Sequence, residues 1–428
     1  MTTQKPKTKK TKAPQEIVSI PGMSDIHPKD GEWWRAIIDS GRAIADIYDF
    51  AYIETPIVEN IDLFLKSAGN AKDQAERRLF KIDTKEGKLA LRSDLSAPVL
   101  RSYIEHRLGY FASPLRVYHY GPVFRDGRVR EGFEREVKQW GFDIVGDNDP
   151  VYDVQVMLVA MGMLKQLKFS DLKVKINTVG CKVCRMNYRD KLRTYLKKQK
   201  LCESCKETVE ANPMHCFLCE EASCKALRKD APIILDFLCQ GCNNHFKAVL
   251  EFVEENGIAY EPDPYFVREK EYYNRTIFEI TSGDDPLSLA GGGRYDYLAE
   301  MLFGKMIPGV GVALSLHRIM DHMKAKGLHP QKKEKPKAFF IAVGDQAKKM
   351  SVRLINELRS AGIPVAEELG KKTLRLQLKA AEKEAGVALI VGQKEAFEGT
   401  VMIRNIKTGA QETLVAEKLA EQVRKWLK

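Results

Sequence analysis

Between Arg116 and Gly146 the chain reads RVYHYGPVFRDGRVREGFEREVKQWGFDIVG, two extended segments around a loop of Gly127, Arg128, Arg130, Glu131 and Gly132. Residues of the returning segment alternate with period two. Arg135, Val137, Gln139, Gly141 and Asp143 fall on one side; Glu136, Lys138, Trp140, Phe142 and Ile144 fall on the other. Trp140, Phe142 and Ile144 make an apolar side able to lie on a core. Opposite them, Gln139 and Asp143 flank Gly141, where the missing side chain lets a ligand approach the backbone. Arg125 closes the outgoing strand. A cation, an amide and a carboxylate aimed at one small volume predict a site for a charged small molecule, although a solvated amphipathic hairpin shows the same alternation.

The cysteines form a second chemistry-bearing set. All nine lie between Cys181 and Cys242, in four C-x-x-C pairs: Cys181/Cys184, Cys202/Cys205, Cys216/Cys219 and Cys239/Cys242, with Cys224 left over. Thiolates at that spacing suit tetrahedral zinc, two pairs per ion, with His215 and His245 as substitutes. Buried, reduced cysteines packing as small apolar residues would use the same positions.

Other polar residues say little singly. Asp94 and Ser96 precede a helix and fit the role of caps. Arg268 lies within an apolar-aromatic segment beside Tyr272 and Tyr273, read as a strand. GGGR at 291–294 is like a phosphate-cradling loop, yet fits neither a Walker nor a dinucleotide fingerprint. Arg318 follows a glycine-bearing strand.

Helical spacing of apolar residues predicts a helix over 30–49. AYIETPIVEN (51–60) reads as a strand ending at Pro56, 79–91 as a hairpin turning at Glu86-Gly87, and 91–107 as a turn becoming a helix. A long helix runs from about Pro150 to Lys168. The charged, cysteine-rich stretch 177–262, helical in pieces, reads as an insertion; 264–280 has strand texture, 290–302 is a glycine-rich turn entering a helix, and 308–323 is a strand running into a helix. GLHPQKKEKPK (327–337) is a linker by composition. From 338 to 428 strands and helices alternate, which predicts a small α/β domain with a mixed sheet, GTVMIRNI at its edge, and a final helix LVAEKLAEQVRKWLK.

A chain of 428 residues exceeds one ordinary core, so two or three domains are expected. The absence of any apolar run near the ~20 residues a membrane span requires argues for a soluble protein with no membrane partner. Residues 1–16 are lysine-rich without an apolar segment, which predicts a disordered basic arm, no signal peptide and a cytoplasmic protein. The net charge of +11 permits a nucleic-acid partner without establishing one.

Taken together, the blocks match a family. PIVE ending at Glu59, the FR…GF…Q.GFDIVG hairpin, FVREKEYYNRTIFE, GGGRYD and PGVGVALSLHR resemble, in order and spacing, the class II aminoacyl-tRNA synthetases. FVREKEYYNRTIFE and GGGRYD are similar to signatures of the histidyl-tRNA synthetases; IPGMSDI and LRSDLSAPVLR resemble that family's opening loop and amino-acid-binding turn. The C-terminal unit is similar to the family's anticodon-binding domain. The resemblance implies an α+β catalytic domain (17–326), a six- or seven-stranded antiparallel sheet flanked by helices, dimerising through the first motif. It implies a histidine–tRNA ligase that uses ATP with Mg2+ to form histidyl-adenylate, then charges tRNA(His), the helical insertion touching the acceptor arm. By family position Arg125 holds the α-phosphate, Arg268 supports the transition state and Arg318 reaches the phosphate tail. Asp94, Ser96 and Gln139 hold the α-ammonium group, Asp143 and Tyr273 hydrogen-bond the imidazole, and Tyr272 and Tyr295 line the pocket.

The sequence departs from that pattern. Gly127 replaces an acid, Phe133 an arginine, Glu269-Lys270-Glu271 a Gly-Leu-Asp, and His317 an acid. Such losses point to the alternative of a non-catalytic descendant, either a regulatory subunit of ATP phosphoribosyltransferase or a tRNA-sensing module. Retention of Arg125, Gln139, Arg268, Arg318 and a full C-terminal domain favours the ligase.

Overall fold

Which way the hairpin faces decides the layout of the first unit. The computed structural model describes residues 17–427 apart from 86, 128, 130–133, 284, 286, 331–337 and 371–372. In chain order the first unit contains β1 (Ala51–Tyr52), β2 (Val58–Asn60), β3 (Lys81–Thr84), β4 (Gly87–Leu91), β5 (Leu115–Phe124) and β6 (Glu136–Val145). After them come β7 (Leu172–Thr178), β8 (Tyr260–Pro262), β9 (Asn274–Ser282), β10 (Ala290–Arg294) and β11 (Gly309–Ser315). Eight strands make one sheet in the order β1-β5-β6-β11-β10-β9-β7-β8. Its six inner strands pair antiparallel, and β1 and β8 add short parallel edges. β2, β4 and β3 form a separate small sheet. The strand expected to end at Pro56, whose missing N–H cannot join a ladder, keeps only Ala51–Tyr52 in the large sheet, and Val58–Asn60 beyond the proline belongs to the small one.

Trp140, Phe142 and Ile144 are fully buried, with Val310, Val312 and Leu314 of β11 and Phe278 and Ile280 of β9, beneath the helices Gly31–Ile47, Val151–Gln166, Gln240–Glu255 and Leu316–Ala325. The Trp140 ring stacks on Tyr118 and Tyr120 at centroid distances of 5.2 and 4.9 Å. Helix Gly31–Ile47 reaches it through Gly41, where a Cβ would come within 2.6 Å of the indole. One sheet face is thus core, and the other is left for polar groups.

Two expectations fail here, the first for a steric reason. The glycine run at 290–294 is not a turn but the central strand β10. A Cβ on Gly292 would lie 2.1 Å from the Gly311 carbonyl of the neighbouring strand, so close strand packing selects glycine where composition suggests a turn. Residues 264–273 are irregular rather than strand; the strand begins at Asn274, beyond the charged run Glu269-Lys270-Glu271, and Arg268 belongs to a loop laid over the sheet.

Arg294, at the end of β10, is fully buried. It pairs with Asp153 (Nε–Oδ2 3.0 Å, with a further bond from Nη2), donates to Asp296 (3.2 Å) and caps the carbonyls of Asp149 (2.9 Å) and Asp147 (3.3 Å). Burial alone would raise the Asp153 pKa; Arg294 and His245 outweigh it and bring it down to about 2. Arg294→Met should therefore cost about 3–5 kcal/mol, because it strands a buried carboxylate, and the urea midpoint should report it. A depressed carboxyl pKa contributes stability above its unfolded value. That contribution in the parent protein should be lost as pH falls from about 4 towards about 2, and Arg294→Met should flatten the loss.

Between β7 and β8 runs the insertion, whose longer helices Lys182–Leu196 and Gln240–Glu255 bracket the short pieces Glu203–Thr208 and Ala222–Ala226 and several single turns of 3-10 helix. The second unit, residues 331–428, contains β12 (Ala338–Ala342), β13 (Val365–Glu367), β14 (Val387–Val391), β15 (Thr400–Asn405) and β16 (Gln411–Val415) in the order β13-β12-β14-β15-β16. The first three strands are parallel and the last two pairings antiparallel, a mixed sheet as expected. Its edge is β16 rather than 400–405; Leu414 and Val415 belong to that strand, and the last helix is Leu419–Trp426. The basic arm and residues 331–337 of the linker lie outside the described residues.

Candidate active site

Directly opposed residues of antiparallel strands share a face, so register places side chains on the polar side of the sheet. His119 pairs with Gly141, Gly141 with Ala313, Ala313 with Gly291, and Gly291 with Glu279. One step along, Asp143 pairs with Gly311; one step back, Gln139 pairs with Gly121 and Ser315. Side chains lie flat on the glycine positions. A Cβ on Gly141 would meet the His119 ring at 2.1 Å, one on Gly291 the Arg268 guanidinium at 2.1 Å, and one on Gly311 the Asp143 carboxylate at 2.0 Å. Glycine on this floor makes room for polar side chains of the protein; at Gly141, where a ligand was expected to approach the backbone, the His119 ring takes the space.

Asp143 is 1% exposed and collects three donors. Ser96 Oγ lies 3.2 Å and Tyr295 OH 2.5 Å from Oδ1, and His119 Nε2 is 2.6 Å from Oδ2. Tyr272 closes this side, its ring 6.2 Å from Tyr295 and 4.9 Å from Tyr273. Burial, then the Asp143 charge, pushes the Tyr295 phenol well above its ordinary pKa, so it remains a donor. A carboxylate offers about four lone-pair sites, which leaves about one for a further N–H.

Beside it, Asp94 accepts from the Ala97 N–H (3.0 Å), capping the helix Ser96–Glu105, and from Lys270 Nζ (2.9 Å). Burial opposes its charge, yet Lys270, that N–H and Arg125 hold its pKa below the usual range. Arg125 in turn is shifted down by burial against the charges of Glu269 and Asp94, with Arg268 adding repulsion. Arg268 lies over the Tyr273 ring at 5.6 Å and donates to Glu279 at 3.0 Å. Arg125 is therefore within charge range of Asp94, Glu269 and Arg268, with Lys270 bonded to Asp94, next to the Asp143 pocket. Arg318 is anchored differently: it donates to the Ser288 carbonyl at 3.1 Å, just ahead of β10, within range of the Glu134 charge.

Residues 22–319 match the family model for histidyl-tRNA synthetase, and 337–426 match that of an anticodon binding domain. This chain belongs to the histidyl-tRNA synthetase family. Similar curated relatives are histidine–tRNA ligases of Natranaerobius thermophilus, 34% identical over 97% of this chain and 99% of that one, and of Caldanaerobacter subterraneus, 33% identical over 97% and 99%. A Staphylococcus aureus histidyl-tRNA synthetase crystal structure aligns with TM-score 0.77 at 29% identity, over 95% of this chain and 99% of that one. A Bacillus halodurans structure described as an ATP phosphoribosyltransferase regulatory subunit/histidyl-tRNA synthetase shares the fold, with TM-score 0.64 at 19% identity, over 89% of this chain and 99% of that one.

Within this synthetase-family site the charged residues at the unusual positions 269–271 are each matched by a partner. Glu269 pairs with Arg78 at 2.9 Å, Lys270 with Asp94, and Glu271 with Arg189 (2.9 Å) and Asn212 (2.7 Å). The Gly127 carbonyl accepts from Arg135 Nε at 3.0 Å. His317 is buried with its ring 5.6 Å from that of Trp34, a packing partner on the core side, and burial lowers its pKa. Phe133, Arg128 and Arg130 lie outside the described residues. His119, Lys270 and Glu279 are site residues that motif reading missed. His119 was open to detection, because period-two alternation on β5 sets it across from Gly141. Lys270 was not, since only folding brings it to Asp94, 176 residues away.

Proposed function

We propose that this chain is a histidine–tRNA ligase, which activates L-histidine with ATP to histidyl-adenylate and transfers the histidyl group to the 3′ end of tRNA(His). The observation that carries it is the placing of Arg125 within charge range of Arg268 and Asp94, beside a buried carboxylate, Asp143, with lone-pair capacity left over. Attack of the substrate carboxylate on the α-phosphate brings anions together. Arg125 and Arg268, held by the protein before substrate arrives, offset that charge without reorganising, and the planar guanidinium directs its donors at the crowded phosphorus oxygens. Arg318 serves the phosphate tail. Glu279, next to Arg268, would offer a carboxylate to the Mg2+ that comes with the triphosphate, an ion that would supply part of the charge neutralisation.

Asp94, Ser96 and Gln139 take the α-ammonium group. Asp143, steadied by His119 and Tyr295, takes an imidazole N–H, with Tyr273 beside it and Tyr272 closing the wall. A leucine or phenylalanine would leave the Asp143 carboxylate without its last donor, which is the source of selectivity. The anticodon-binding unit and the basic balance suit tRNA, with the insertion near the acceptor arm. The enzyme works as a cytoplasmic homodimer. Among the described residues no helix is long and apolar enough to cross a membrane.

Pyrophosphate exchange into ATP should depend on L-histidine and on no other proteinogenic amino acid, and labelled histidine should then appear on tRNA(His). Folded protein that binds histidine but gives no exchange would remove the ligase reading in favour of a regulatory descendant.

A further inference from the structure

The insertion contains many short helical pieces around a modest core, the kind of segment that a single hydrophobic cluster rarely holds. All nine cysteines are free thiols, and eight fall into two groups. Cys181, Cys184, Cys239 and Cys242 form one; Cys202, Cys205, Cys219 and Cys224 form the other; within each, every sulfur lies within 4.8 Å of every other. Sulfur separations are 3.5 Å for Cys181–Cys184 and 3.7 Å for Cys202–Cys219. A tetrahedron of Zn–S bonds near 2.3 Å has edges of about 3.8 Å, whereas a disulfide would bring its sulfurs to about 2.0 Å. Backbone N–H groups point at the sulfurs, Cys239 N to Cys184 Sγ at 3.1 Å and Cys202 N to Cys224 Sγ at 3.5 Å, as outer contacts of a thiolate site do. Exposure argues in the same direction. Cys239 is exposed and Cys181, Cys202 and Cys219 are half-buried, which is not how cysteines behave as small apolar filling.

We propose that the insertion binds two zinc ions, each by four thiolates, in these two quartets. This corrects the pairing by spacing alone. The second quartet takes Cys224 in place of Cys216, because Cys202, Cys205, Cys219 and Cys224 are the sulfurs that lie within 4.8 Å of one another. His245 is also excluded, since its ring faces Asp153 and Thr276 at 3.4 Å. The first site joins the two ends of the insertion, because Cys181 and Cys239 each immediately precede one of its long helices. The helix beginning at Lys182 carries Arg185, which donates to the carbonyls of Glu271 (2.8 Å) and Tyr273, and Arg189, which pairs with Glu271. The first zinc thus fixes the helix that holds the Arg268–Tyr273 loop over the sheet.

Elemental analysis of the purified full chain, grown with zinc and iron both supplied, tests this independently of any ligase activity. Two zinc ions per chain are expected, two again in Cys216→Ser, and one in Cys224→Ser and in Cys181→Ser/Cys184→Ser. X-ray absorption on the unmutated protein covers the case in which a variant does not fold; it should show a shell of four sulfurs at about 2.3 Å. Fewer than two zinc ions, iron in their place, a nitrogen or oxygen ligand, or loss of an ion from Cys216→Ser would overturn the proposal.

Discussion

Arg268→Ala is expected to slow histidine-dependent pyrophosphate exchange by about 10³-fold at saturating substrates, with the histidine Kd changed by no more than a few-fold. Removing one fixed donor from a developing oxyanion costs on the order of 10²–10³ in rate, and here a full positive charge goes as well. The side chain is held before substrate arrives by Glu279 at 3.0 Å and by the Tyr273 ring face. Its truncation therefore removes a preorganised group. Arg268→Lys keeps charge but loses the planar fork, so it should recover only part of the rate. The two readouts, exchange rate and histidine binding by calorimetry, separate a transition-state role from a binding one. A rate within a few-fold of the parent would mean that Arg268 merely braces Glu279 against the sheet.

For Asp143→Asn the expected change is the reverse: KM for histidine rises by roughly 10²-fold while kcat falls less. Asparagine keeps the volume but exchanges one acceptor oxygen for an NH2. Tyr295 and Ser96 donate to one carboxylate oxygen and His119 approaches the other, so the amide cannot serve all three and a substrate ring as well. A site built around a substrate N–H loses up to 10⁴–10⁵ when the pairing fails; partial retention by the amide reduces that. Thermal unfolding of the variant guards against a misfolded pocket. An unchanged KM would place the imidazole elsewhere, with Asp143 serving only to tie β6 to the helix that starts at Ser96.

Much of this could be read from the chain before any coordinates. Alternation fixed which face of β6 is core: Trp140, Phe142 and Ile144 are fully buried, and Asp143 lies across from Gly311 on the other face. Asp94 caps the helix its position suggested. Local pattern misread the glycine run at 290–294, because the reason for those glycines is the backbone of another strand and a guanidinium from a loop. It likewise could not choose Cys224 over Cys216, since sequence spacing says which cysteines are near in the chain and not which sulfurs meet.

What the sequence determined by itself is therefore the set of chemical groups, their strand faces and the family they spell, since these depend on short periodicities and residue types. The tertiary structure alone decided which charges neutralise one another. Lys270 on Asp94 and Arg185 on the loop at Tyr273 are contacts between segments that no local rule relates. Electrostatic pairing depends on separation in space, and only the closed sheet with its overlying loop sets that separation.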